Sequence, residues 1–197
     1  MVCLACRRLY PGPLCAGCQA GLRPAPDRLL AGDLRVRSAY LHAGPARALV
    51  HSFKYRGIGE AGRILAEAMA PLLPAGAILV PLGRAGLRQL GYGIDPAREL
   101  ARSLALKSGL EMADLLVPPW ISPGRARVSR NRRRPPMFRV RRLPECPVVL
   151  IDDVVTTGGT IEHARRLMGR SVVLAITATS SGGCLVSPGE LGVARGH

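Results

Sequence analysis

Apolar positions follow two different rhythms along this chain. Leu34 to Leu41 alternates imperfectly, as Leu-Arg-Val-Arg-Ser-Ala-Tyr-Leu, and predicts a strand. From Ala46 the apolar residues recur at helical spacing through Leu49, Val50 and Phe53. They break at Gly57 and Gly59 and resume as Ile64, Leu65, Ala68, Met69 and Leu72, which predicts two helices. Ala77-Ile-Leu-Val-Pro81 is a short apolar run of the kind a buried parallel strand shows. Asp95-Pro96 then opens a helix to about Leu106, with Pro96 at its first position. Further on, Val148 to Ile151 predicts a strand, Asp152 to Gly159 a turn, Thr160 to about Gly169 a helix, and Val172 to Thr177 another strand. That is a βαβ unit, and the alternation of strands and helices predicts an α/β fold with a mostly parallel sheet flanked by helices.

The rhythm is absent at both ends and in one internal stretch. Residues 1–22 carry four of the six cysteines and predict a small separate module, and the prolines of 23–33 predict a stiff linker. The main domain is expected over 34–179, with a flexible tail over 180–197. Between Pro118 and Pro136 the chain is rich in Pro, Gly, Ser and Arg without apolar period, which predicts a long loop. The longest apolar stretch, Ala68 to Gly83, is cut by Pro71, Pro74 and Pro81, so no membrane insertion is expected. With no apolar leader at the start, the expected location is the cytoplasm.

Charge sharpens this outline. The 28 basic and 13 acidic residues give +15, which points to an anionic substrate or a polyanionic partner. Only Lys54 and Lys107 are lysines, so the remaining 26 of the 28 are arginines. Nine of them lie between Arg125 and Arg142, a stretch without Asp or Glu. Such a segment can close over pyrophosphate, track a nucleic-acid backbone or remain a solvated basic loop. Only Trp120 and Phe138 flank it, a poor supply of stacking platforms for single-stranded nucleic acid. His42, His51 and His163 show no metal-like spacing and read as surface or capping residues.

The chemistry is concentrated in Val148-Val-Leu-Ile-Asp-Asp-Val-Val-Thr-Thr-Gly-Gly-Thr-Ile161. A buried strand there delivers two carboxylates to the carboxyl edge of a parallel sheet, where open α/β folds bind ligands. The following residues supply hydroxyls and unobstructed backbone N–H groups at a helix N-terminus, a cup suited to a monophosphate. The carboxylates repel phosphate and must face hydroxyls or a cation, which a ribose diol with Mg²⁺ provides. A plain strand-to-helix turn capped by Thr160 is the simpler alternative. The run resembles the phosphoribosyl pyrophosphate (PRPP) signature of type I phosphoribosyltransferases. The resemblance implies that Asp152 and Asp153 hold the ribose hydroxyls while Thr156, Thr157, Gly158, Gly159 and Thr160 wrap the 5-phosphate.

The cysteines form a second constellation. Cys3-x-x-Cys6 and Cys15-x-x-Cys18, eight residues apart, each present two thiolates, and together they suit a tetrahedral structural Zn²⁺. Two disulfides or a redox pair are the alternatives, disfavoured in a reducing compartment and by the duplication. Cys146 and Cys184 have no spacing partner.

A Cys₄ module ahead of a phosphoribosyltransferase-like domain resembles the ComF family, the competence protein F proteins linked to DNA uptake. His51-Ser-Phe-Lys-Tyr-Arg-Gly57 is similar to the "FKYRG" segment of that family, and Val80-Pro-Leu-Gly-Arg84 sits where the family has its first ligand loop. The resemblance implies a type I phosphoribosyltransferase-like, Rossmann-like domain that binds PRPP or a related sugar phosphate with Mg²⁺ and can release pyrophosphate. Pro81, Leu82, Gly83 and Arg84, with Arg127 and Arg130 of the basic loop, would line the pyrophosphate side. Where the family reads "RGFNQ", this chain has Leu90-Gly-Tyr-Gly-Ile94, without the Arg and the amides. The alternative implied by the same family is a non-catalytic accessory of DNA uptake that binds single-stranded DNA or a protein of the uptake machinery.

Overall fold

The computed structural model describes residues 1–30, 33–83, 94–118 and 138–182. Seven strands and five helices are described. They are β1 (Arg28–Leu30), β2 (Leu34–Leu41), β3 (Ile78–Pro81), β4 (Leu116–Val117), β5 (Arg139–Val140), β6 (Val148–Val155) and β7 (Val172–Ser180), with α1 (Ala16–Ala20), α2 (Gly44–Arg56), α3 (Gly59–Met69), α4 (Pro96–Ser108) and α5 (Gly159–Met168).

The main sheet has five strands in the order β1-β2-β7-β6-β3. The pairs β2–β7, β7–β6 and β6–β3 are parallel, and only β1 joins antiparallel. β4 and β5 form a separate two-stranded ribbon. Central position explains the unbroken apolar run Val148 to Ile151, all four of whose residues are fully buried. One face of the sheet packs Leu79, Val149, Ile151 and Ile176 against Leu49, Phe53, Leu65, Met69, Leu100 and Leu104 of α2, α3 and α4. The other packs Val36, Leu150 and Ala175 against Ile161, Ala164 and Met168 of α5, with Phe138 beside them. Helices thus cover both faces, as the alternation of elements requires. No helix among the described residues is long and apolar enough to cross a membrane.

Two boundaries differ from expectation. β6 does not stop at Ile151: its pairing with β7 continues through Asp152↔Thr177 and Val154↔Thr179 to Val155↔Ser180. Asp152 and Asp153 therefore lie on a strand, the turn is confined to the residues after Val155, and α5 starts at Gly159. β7 correspondingly runs past Thr177 to Ser180, which is buried between its neighbours, so the chain is still paired where the tail was expected to begin. Within the stretch 23–33, expected as a linker, residues 23–30 lie along β2: Leu41 N–H donates to Arg23 O, Pro24 bridges Tyr40, and β1 pairs Arg28 with Val36 and Leu30 with Leu34. The arginine-rich stretch is described only from Phe138 onward, and residues 183–197 lie outside the described residues.

Candidate functional site

Two neighbourhoods bring chemistry-bearing residues together. The first is at the carboxyl end of β6. There the parallel strands open, α5 begins, and Gly158 turns the chain between them with φ of +86°, in the left-handed region that glycine tolerates. Glu162 N–H donates back to Gly158 O at 2.9 Å, closing the first helical turn. Thr156 and Thr157 are exposed, and Gly159 and Thr160 are half-buried at the helix N-terminus. Thr156 and Thr157 thus face solvent at the start of the turn, whereas Gly158 is buried.

The two acids behind this turn differ. Asp152 Oδ1 accepts the backbone N–H of Asp153 at 2.8 Å. Burial of its carboxyl, reinforced by the negative charge of Asp153 and by Asp95, holds Asp152 well above the usual carboxylate range, although the residue keeps some exposed surface. Asp153 is buried, and its Oδ2 lies 2.5 Å from Lys54 Nζ. Its carbonyl accepts the Thr179 hydroxyl at 3.4 Å, and that hydroxyl meets His42 Nδ1 at 2.8 Å. Thr177, also buried, pairs with Ser38 Oγ at 2.7 Å, so a polar seam crosses β2 and β7 beside Asp153. His42 is pulled below its ordinary value by burial and by Arg47, against the opposing effect of Asp153.

Of the residues expected on the pyrophosphate side, Pro81, Leu82 and Gly83 continue β3 next to Ile151, with Leu82 N–H donating to Ile151 O at 2.8 Å. Gly83 permits a close approach: a Cβ there would stand 2.9 Å from Asp95 Oδ2. Asp95 caps α4 by accepting Arg98 N–H, which brings a third acid into the field of Asp152. Arg84, Arg127 and Arg130 lie outside the described residues.

Several residues of this neighbourhood escape sequence reasoning. Arg28 Nη1 donates to Thr156 O at 2.8 Å, and Leu30 packs on Gly158. Neither shows a motif, since both fall in a proline-flanked stretch of no period. Lys54 stands in the "FKYRG" segment, but its spacing to Asp153 exists only in three dimensions. Asp95 is legible as a helix cap, not as a neighbour of Asp152.

The second neighbourhood is the cysteine cluster. The sulfurs of Cys3, Cys6, Cys15 and Cys18 all lie within 4.8 Å of one another and can hold a metal ion. Cys6 Sγ and Cys15 Sγ are 3.8 Å apart, and Cys15 N–H points to Cys3 Sγ at 3.4 Å. Burial raises the Cys3 thiol, but the backbone N–H groups of Cys6, Cys15 and Ala5 outweigh it and bring it down from 9.0 to about 6. Cys18 is pushed up to about 12 by burial and by the neighbouring sulfurs. The cluster sits against α2: Ser52 Oγ donates to Leu4 O at 3.2 Å, and Leu4, Leu14 and Leu22 join the larger core.

The chain matches no known family profile and no curated protein sequence. Among solved structures it is similar to the orotate phosphoribosyltransferase from Aeropyrum pernix, at 16% identity over 83% of this chain and 81% of that one, with a TM-score of 0.32.

Proposed function

We propose that this protein binds PRPP or a related 5-phosphoribosyl ligand together with Mg²⁺, and that its N-terminal cysteines hold a structural Zn²⁺. The observation that carries the first part is the turn after β6, where Gly158 at φ +86° opens a helix N-terminus beside Asp152 at the carboxyl edge of a parallel sheet. In this reading Thr156, Thr157, Gly158, Gly159 and Thr160 hold the 5-phosphate. Asp152, and Asp153 behind it, face the ribose hydroxyls, and Pro81, Leu82 and Gly83 border the pyrophosphate. Mg²⁺ supplies neutralisation of the pyrophosphate charge when bound. The chain's own residues bind and orient: the turn fixes one end of the sugar, Asp152 its diol, and the anomeric carbon is left facing the open edge. Where an acceptor is present, it would bond to that carbon as the bond to pyrophosphate breaks.

The zinc reading rests on the donor set. Zinc–sulfur bonds of about 2.3 Å place tetrahedral sulfurs about 3.8 Å apart, and Cys6 and Cys15 stand at 3.8 Å. Four cysteines leave no open coordination position, so the metal would organise structure.

Titration calorimetry with PRPP, with and without Mg²⁺, tests the ligand. Magnesium-dependent heat that disappears in Asp152→Asn is expected. No heat from folded protein would leave the turn as inherited architecture and send the search to single-stranded DNA, as a DNA-uptake accessory of the ComF type would bind.

A further inference from the structure

Among the described residues, a cation of the protein itself stands on the acidic pair. Lys54, near the end of α2, reaches across to β6 and places Nζ 2.5 Å from Asp153 Oδ2. Both side chains are largely removed from solvent. A buried carboxylate requires such a partner, and separating a buried pair leaves an uncompensated charge, so the pair is a fixed part of the fold.

Adjacent carboxylates at the open end of a sheet are the oxygen donor set that a divalent cation takes. Here an ammonium already stands on one of them, and any cation approaching Asp153 must come up against it. We propose that Lys54 is a specificity-determining residue: by neutralising Asp153 it bars a bare divalent cation from the acidic pair, so that the site takes its cation only in complex with a pyrophosphorylated sugar. The second half of this inference rests on the phosphoribosyl reading, whereas the exclusion of the bare cation does not.

Mn²⁺ serves as the probe, with the full chain loaded with zinc at its cysteines and free Mn²⁺ read by electron paramagnetic resonance. The native chain and Lys54→Arg are expected to bind Mn²⁺ weakly. Lys54→Met should bind one ion roughly tenfold more tightly or better, the scale on which a neighbouring unit charge acts on a carboxylate. The double variant Lys54→Met/Asp153→Asn should return to the native level. Equal Mn²⁺ binding by native and folded Lys54→Met protein overturns the proposal.

Should Lys54→Met not fold, the native chain carries the test, because it has only two lysines, Lys54 and Lys107. With ¹⁵N at lysine Nζ, the Lys54 signal should stay sharp in Mn²⁺ alone and broaden once PRPP is added. Broadening of that signal by Mn²⁺ alone overturns the proposal. If PRPP gives no heat while Lys54→Met gains Mn²⁺, the phosphoribosyl reading falls and the exclusion of the bare cation stands.

Discussion

Leu30 rests directly on Gly158. A Cβ at Gly158 would lie 2.6 Å from Leu30 Cδ2, and two residues earlier in the same strand Arg28 donates to the carbonyl of Thr156 at 2.8 Å. The short strand β1 therefore covers the turn that carries the proposed phosphate site. Both ends of the contact are constrained, since Leu30 is paired to Leu34 of β2 and Gly158 is fixed by the start of α5.

Gly158→Ala should be among the most damaging single changes. It imposes a left-handed backbone on alanine and drives a methyl into Leu30, effects of about 1–3 kcal/mol each. Urea denaturation should show the combined loss. Adding Leu30→Ala should recover the packing part and leave the backbone part, and full recovery would mean that φ at this turn carries no strain.

Asp152→Asn should separate stability from binding. Asp152 has its folded value raised above the ordinary 3.8, so its stabilising contribution is present below that value and is lost as pH rises through the raised one. An amide has no charge to desolvate. The variant should therefore melt at or above the native temperature at pH 7, and the difference should shrink as pH approaches 4. Its PRPP affinity should fall by roughly tenfold or more, the cost of losing a charged hydrogen bond. Native-like affinity would place the ribose elsewhere.

Metal content should be one zinc per chain and should depend on pH in one direction. Thiols must lose their protons to bind, and Cys3 is the readily ionised member, at about 6 against about 12 for Cys18. Zinc should stay bound at pH 7 and be released progressively as pH is lowered into the acid range, where protons compete with the metal for all four sulfurs. Elemental analysis after dialysis across this range reads the loss directly. Cys18→Ser should abolish retention at pH 7, and undiminished zinc in that variant would exclude a four-sulfur site.

Much of the architecture was legible because periodicity survives in long elements. The strand Leu34–Leu41 and the helices broken at Gly57 and Gly59 stand where their patterns put them. The acids Asp152 and Asp153 read as a turn because polar residues end an apolar run, yet pairing with β7 carries the strand through them. Hydrogen-bond registry with a neighbour is a tertiary fact and leaves no mark on local composition. The same holds for Lys54 and Asp153, nearly a hundred residues apart in sequence, and for Arg28–Leu30, too short to show a period. What sequence does display is the donor inventory of the turn and the paired cysteines, because these are contiguous.

The path of the first thirty residues has a mechanical consequence. The chain is clipped at one end by four sulfurs, runs paired along β2, and finishes with Leu30 on Gly158. It forms a strap that a metal at the sulfurs would buckle, drawn across the turn proposed to hold the sugar phosphate. Stripping the metal should slacken it, so amide exchange at Gly158 and Gly159 should quicken on chelation even though the cysteines are remote from that turn in sequence. Unchanged exchange would show that strand pairing alone keeps the strap taut.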